Sequence, residues 1–343
     1  AAAPGHPDLN LAMGMVVNAL GRHEQALYFM QRALAGRPDD QLLLTNTAML
    51  FSSLGKPAQA EPLFQRALSL NAQNVEAMLG LAIINRNRGH FTAAARLLES
   101  ALALSPADAN LAGMYGAVLG NIARSPEVAA FTGRWLAANS DSAVASMHAH
   151  ALNYAPGIAP ETIFEAHARF GRSLPAATPP SPADRNPDRR LRVGILSNDL
   201  RRHSVAAFME PLLRYLDRGA FELWCYDTHP APDEVTARLK KLIPHWASVA
   251  SLDDAALTAR IRADRIDLLI ETSGLTRGHR LGVLALRAAP VQVTYCGYPC
   301  TTGVPAVDAR IVDSLTDPPG AVWSGPEHLE RLALRRRHVD HRE

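Results

Sequence analysis

Three short loops hold the residues that could do chemistry in this chain. Residues 198–203 end in His203, directly before Ser204, a residue suited to cap a helix. The positive end of a helix dipole favours the neutral imidazole that a general base needs, which makes His203 a candidate catalytic residue. The other reading is a solvent-facing histidine that only precedes the cap. Residues 271–278 bring together Glu271, Thr272, Ser273 and Thr276, a carboxylate and hydroxyls suited to hydrogen-bonding sugar hydroxyls. Ordinary turn chemistry around Gly274 and Gly278 would leave the same composition. Residues 297–303, Gly297, Tyr298, Pro299, Cys300, Thr301, Thr302 and Gly303, offer backbone amides and hydroxyls that could line a polar ligand.

These loops acquire meaning from the elements around them. Apolar runs at 191–197, 221–227, 266–271, 291–297 and 307–312 read as strands, and amphipathic helices separate most of them. The helix opening at Ser204 carries Val205, Phe208, Met209, Leu212, Leu213 and Leu216, with Pro211 expected to kink or restart it. Strands alternating with helices imply a doubly wound, mostly parallel sheet, whose ligands bind beyond the carboxyl ends of the strands. That rule selects the same three loops. The first strand is not followed by G-x-G-x-x-G, and the chain has no P-loop and no G-x-S-x-G, which disfavours dinucleotide, NTPase and hydrolase chemistry.

The first 140 residues follow a different rule. Gly21, Gly55 and Gly89 recur every 34 residues, as do Ala26, Ala60 and Ala94, then Ala33, Ala67 and Ala101, and finally Met30, Phe64 and Leu98. Such columns describe stacked helix–turn–helix units and match the tetratricopeptide pattern, with units near 7–40, 41–74 and 75–108. A fourth unit, 109–140, keeps the first-helix register and loses the second-helix columns. A helical bridge at 141–174 carries His148, His150 and His167, expected to be packing or surface histidines. The proline-rich 175–190 is expected to be the clearest domain boundary, ahead of a lobe at 191–332.

Composition narrows the class. The chain has 343 residues, 48% hydrophobic and 20% charged, with a formal net charge of +2. That suits two or three globular domains and gives no footprint for nucleic acid or an anionic membrane. No stretch approaches the roughly 18 apolar residues of a membrane span. Cys225, Cys296 and Cys300 are too few for a disulfide framework and fit a reducing cytoplasm. Cys296 and Cys300 lie near no other ligand cluster, so no metal site is expected. The opening AAAPGHPDLN has no signal-peptide pattern and no Met, and a processed product or fragment is expected.

The segments SNDLRRHSVAAFMEPLL, DRIDLLIETSGLTRG, ALRAAPVQVTYCGYPCTTG and VDARIVDSLTDPP, following such repeats, resemble the nucleocytoplasmic protein O-glycosyltransferases, the O-GlcNAc transferase and SPINDLY family. HSV after the first strand, TTG after GYP, and DSLTDPP are closer to SPINDLY and its bacterial relatives. The resemblance implies an α + α/β protein, a tetratricopeptide α-solenoid followed by the first Rossmann-like lobe of a two-lobed (GT-B type) enzyme. It also implies inverting transfer of a sugar from a nucleotide to Ser or Thr, without a metal or other cofactor.

On that resemblance His203 matches the cleft histidine, as base or as a positioning group for acceptor and donor. Loop 297–303 matches the sugar-pocket loop. Cys296 stands where the family places a sugar-contacting residue, Leu in animal O-GlcNAc transferase and Ile in SPINDLY. The implied donor is UDP-GlcNAc, with GDP-fucose as the rival, and the implied partners are acceptor proteins on the concave face of the array. Asn46 is the candidate for holding acceptor peptide there, although its equivalents, Ala12, Gly80 and Met114, leave no asparagine row. A reading from another class is a non-catalytic repeat scaffold. The family continues into a second lobe with most of the nucleotide contacts, whereas residues 333–343, ALRRRHVDHRE, have no family counterpart. Truncation after the first lobe, and a chain inactive by itself, are therefore expected.

Overall fold

The computed structural model describes residues 6–122, 124–181, 184, 186, 188–320 and 325–332. The chain divides into two compact units, Ala1–Asn139 and Ser140–Glu343.

The first unit contains four helix pairs: α1 (Pro7–Ala19) and α2 (His23–Gly36), α3 (Gln41–Ser53) and α4 (Pro57–Leu70), α5 (Val75–Asn87) and α6 (Phe91–Leu104), α7 (Ala109–Asn121) and α8 (Ser125–Ala138). The 34-residue step therefore holds for both helices of all four pairs, including the second helix whose sequence columns had lapsed. Val128, Thr132 and Trp135 replace the Ala, large and Ala columns and are buried in their place. Trp135 uses its indole N–H on the Pro106 carbonyl at 2.8 Å, so the larger residue is satisfied as well as packed. The turn glycines Gly21, Gly55 and Gly89 have φ of 74°, 69° and 79°, the left-handed region that closes each interhelical turn.

A further column was not anticipated. Asp40, Asn74 and Asp108 are the N-caps of α3, α5 and α7, accepting from the N–H groups of Leu43, Ala77 and Leu111 at 3.1, 2.9 and 3.0 Å. Each satisfies an amide that would otherwise end the helix unpaired. Asp108→Ala should therefore lower the stability of the array by about 1 kcal/mol, read as a shift in its urea midpoint.

The second unit opens with α9 (Ser142–Leu152) and α10 (Pro160–Ser173), followed by the sheet. Its strands are β1 (Leu191–Ser197), β2 (Phe221–Asp227), β3 (His245–Ser248), β4 (Leu268–Glu271), β5 (Val291–Tyr295), β6 (Ala309–Asp313) and β7 (His328–Leu332). They pair in parallel in the order β3-β2-β1-β4-β5-β6-β7. The order reverses between β1 and β4, and the crevice beyond their carboxyl ends is the place where such sheets bind ligands. Intervening helices are α11 (Ser204–Tyr215), α12 (Glu234–Lys240), α13 (Asp254–Ala263) and α14 (Leu281–Ala285). Val193, Ile195, Met209, Leu213, Leu223 and Ile270 are among the residues that form the core between sheet and helices.

Four expectations need correction. The strongest boundary is not the proline-rich 175–190, which lies inside the second unit, because α10 packs against the sheet's loops. Of its prolines, Pro182 and Pro187 fall outside the described residues, as does the 333–343 tail. Helix α11 runs through Pro211 without restarting. The strands β3 and β7 escaped notice because they are short and largely polar, and the helix expected after residue 278 shortens to the five residues of α14. Among the described residues no helix is long and apolar enough to cross a membrane.

Candidate active site

Strand β1 delivers the first loop. Ser197, buried at its end, accepts hydrogen bonds from the Thr272 hydroxyl at 2.7 Å and the Asp199 N–H at 3.0 Å. Asp199 is buried too and accepts from the Ser273 hydroxyl at 3.2 Å, so the β1 and β4 loops are stitched across the switch point. Asp233, the cap of α12, braces the loop from the other side by accepting the Arg202 N–H at 2.6 Å; hydrogen bonds to backbone amides hold its carboxyl down to about 2.

His203 is itself the N-cap of α11. Its Nδ1 accepts from the Val205 N–H at 3.3 Å and lies 3.9 Å from the Asp199 carboxylate. With Nδ1 accepting, the proton of the neutral ring is on Nε2, so in this arrangement the exposed imidazole offers a donor. Action as a base through Nε2 requires the other tautomer, with an Nδ1–H released from Val205 and turned to Asp199.

Glu271 ends β4 and turns its carboxyl inward. Its carboxyl is buried and accepts from the N–H of Ser273 at 2.6 Å, the N–H of Gly274 at 2.9 Å and the Thr294 hydroxyl at 3.3 Å. Burial pushes it up to about 7 despite those bonds. Thr272 is likewise buried, its hydroxyl spent on Ser197.

The third loop behaves similarly on one side only. Thr301 and Thr302 are buried, and both hydroxyls donate to Glu327 at 2.5 Å, with the Thr302 N–H adding a third bond at 2.7 Å. Gly303 is buried beneath them. Thus Glu271, Thr272, Thr301, Thr302 and Gly303, expected to meet a sugar directly, form the floor that holds the loops. Tyr298 is also buried, its hydroxyl bonded to His167 and Asn153.

What remains accessible is the rim, through Cys296, half-buried Gly297 and Pro299. Residues 296–299 border a hollow of about 490 Å³ at the carboxyl ends of β5 and β6. Cys296 sits there, exposed, in the left-handed region with φ 58°. The opposite border carries Asp313, Thr316, Asp317 and Arg310, with Arg310 and Asp317 paired at 3.2 Å, and α11 contributes the exposed ring of Phe208. These residues were not among the sequence candidates, although Asp313 closes a strand, and the strand-end rule applied to the DSLTDPP run would have found Asp313, Thr316 and Asp317. Asn46 lies half-buried on α3 in the first unit. Among the described residues no cluster of three His, Cys, Asp or Glu side chains could hold a metal ion.

Comparison with known proteins gives this site its class. Residues 178–338 match Glycosyl transferase family 41 and residues 45–109 match the Tetratricopeptide repeat family. The chain thus resembles tetratricopeptide-repeat proteins that carry a family 41 glycosyltransferase segment. Its relatives are SPINDLY and O-GlcNAc transferases. It is 35% identical over 189 residues to the probable UDP-N-acetylglucosamine–peptide N-acetylglucosaminyltransferase SPINDLY of Oryza sativa, covering 53% of this chain and 20% of that protein. The SEC protein of Arabidopsis thaliana is 32% identical over 155 residues, 44% of this chain and 16% of its own. A mutant O-GlcNAc transferase from Thermobaculum terrenum aligns with a TM-score of 0.73 at 32% identity, covering 85% of this chain and 57% of that one. The chain thus spans about 20% of the length of the SPINDLY protein it matches.

Proposed function

We propose that this chain supplies the first lobe of an inverting protein O-glycosyltransferase that moves N-acetylglucosamine from UDP-GlcNAc to Ser or Thr of acceptor proteins. One observation carries the proposal: within the family 41 segment, residues 296–299 border an open, polar-edged hollow at the strand ends, one helix away from His203. In the reaction the acceptor hydroxyl attacks the anomeric carbon, a new C–O bond forms, and the bond to the nucleotide diphosphate breaks. The hydroxyl proton must leave. His203 either donates from Nε2 to orient the reactants while the proton passes to the departing diphosphate, or accepts that proton on Nε2 in the other tautomer. No metal or other cofactor is required by this scheme. The repeat array presents acceptor proteins, and the three free cysteines suit a cytoplasmic setting.

The test uses the full-length gene product with an acceptor peptide library and two donors in parallel. Mass spectrometry should find N-acetylhexosamine on Ser or Thr with UDP-GlcNAc, and His203→Ala should abolish it. Transfer of deoxyhexose from GDP-fucose alone would replace the donor assignment. No transfer from either donor would favour a binding scaffold.

A further inference from the structure

The helices before the sheet hold the loop that forms the hollow's rim. His167, on α10, has Nδ1 at 2.7 Å from the Ile163 carbonyl, which can only accept, so Nδ1 carries the proton and Nε2 is bare. Tyr298 lies 2.8 Å from that Nε2, so its O–H donates there. The Tyr298 oxygen in turn accepts the Asn153 amide N–H at 2.6 Å from just beyond α9. The hydrogen bonds therefore run one way, from Asn153 through Tyr298 and His167 to Ile163, and neither Tyr298 nor His167 can reverse without breaking two of them.

The other end of the loop is held by the same helix. A Cβ on Gly171 would lie 1.8 Å from the Gly303 carbonyl oxygen, and one on Gly303 would lie 2.0 Å from the His167 carbonyl oxygen. His150 stacks on the Tyr298 ring at 6.0 Å. Burial holds His167 down to about 4, so the acceptor at Nε2 persists at neutral pH. Two residues before the Tyr298 anchor, Cys296 keeps a left-handed backbone that a residue with a Cβ adopts only when its surroundings impose it.

We propose that Asn153 and His167 are positioning residues for the 296–299 rim, which they fix through the Tyr298 hydroxyl. The relevance to sugar binding rests on the function proposed above; the positioning itself does not.

Cys300 provides a reporter, being buried in the loop two residues after Tyr298, whereas Cys296 is already exposed. Alkylation of Cys300 by iodoacetamide in the 343-residue chain, located by peptide mass spectrometry, measures how often the rim opens. Asn153→Ala removes one half-buried donor and Tyr298→Phe one hydroxyl, and each should speed Cys300 alkylation about tenfold. Tyr226→Phe is the control, since it deletes the buried hydroxyl bonded to Asp264 at 3.0 Å on another strand, and should leave the Cys300 rate unchanged. Unchanged alkylation in Asn153→Ala and Tyr298→Phe, or an equal rise in Tyr226→Phe, overturns the proposal. In the full-length gene product the same two variants should raise the donor KM more than they lower kcat. An accelerated Cys300 with an unchanged donor KM keeps the positioning role and removes the rim from sugar binding.

Discussion

Gly303→Ala should destabilise the second unit by about 4 kcal/mol or more while leaving the repeat array intact. The added methyl would lie 2.0 Å from the His167 carbonyl oxygen, and the residue has φ 70°, so both space and backbone conformation oppose it. Neither neighbour can give way cheaply, because the obstructing atoms are backbone of α10. Gly171→Ala is the sharper companion. Gly171 is in a helix, where alanine is ordinarily better than glycine by about 1 kcal/mol, yet its methyl would lie 1.8 Å from the Gly303 oxygen. Helix propensity predicts a gain and the close approach predicts a loss; the loss should win. Hydrogen exchange of α10 and of 297–303 under increasing urea measures both variants, and a change below about 1 kcal/mol would refute the packing described.

Glu271→Gln should alter how stability depends on pH. The buried carboxyl is raised to about 7 from its ordinary 4.5, so the folded state binds a proton more tightly than the unfolded chain does. Its contribution is fully present below about 4.5 and is lost as pH rises through about 7. Glutamine does not titrate. Relative to the wild type, the variant should therefore gain about 2–3 kcal/mol between pH 5 and pH 8, whatever constant penalty its amide imposes on the Ser273 and Gly274 N–H groups. His167 and His279, both pushed down to about 4 by burial, work in the opposite direction, with stability lost as pH falls from 6.5 toward 4. They are present in both proteins and cancel in the comparison. Urea midpoints at the two pH values provide the measurement, and parallel curves would show that Glu271 is ionised when folded.

Much of the architecture was legible because periodicity is a direct consequence of packing. The 34-residue columns located both helices of the first three pairs, and apolar runs between amphipathic segments located five of the seven strands among the described residues. The strand-end rule then selected three loops that do lie at the carboxyl edge. Spacing could not reveal which way a polar side chain in such a loop points. Thr301 and Thr302 have the composition of a ligand-binding pair, yet Glu327, some 25 residues on and next to an unrecognised edge strand, takes both hydroxyls. Glu271 likewise turns inward to amides of its own turn. His167 read as an ordinary buried histidine; its partner, Tyr298, is 131 residues away in sequence, beyond the reach of any local pattern.

The uniform helix step of the first unit also bears on how such a protein can evolve. A helix pair in a solenoid rests mainly on its immediate neighbours, and the first three pairs here repeat the same Ala, large and Ala columns at each 34-residue step. Duplication of 34 codons would insert a unit whose two junctions are already matched, and deletion of 34 codons would rejoin surfaces that fit. Neither event touches a residue of the sheet or its loops. The array can thus lengthen or shorten by recombination while the residues at the strand ends are inherited unchanged.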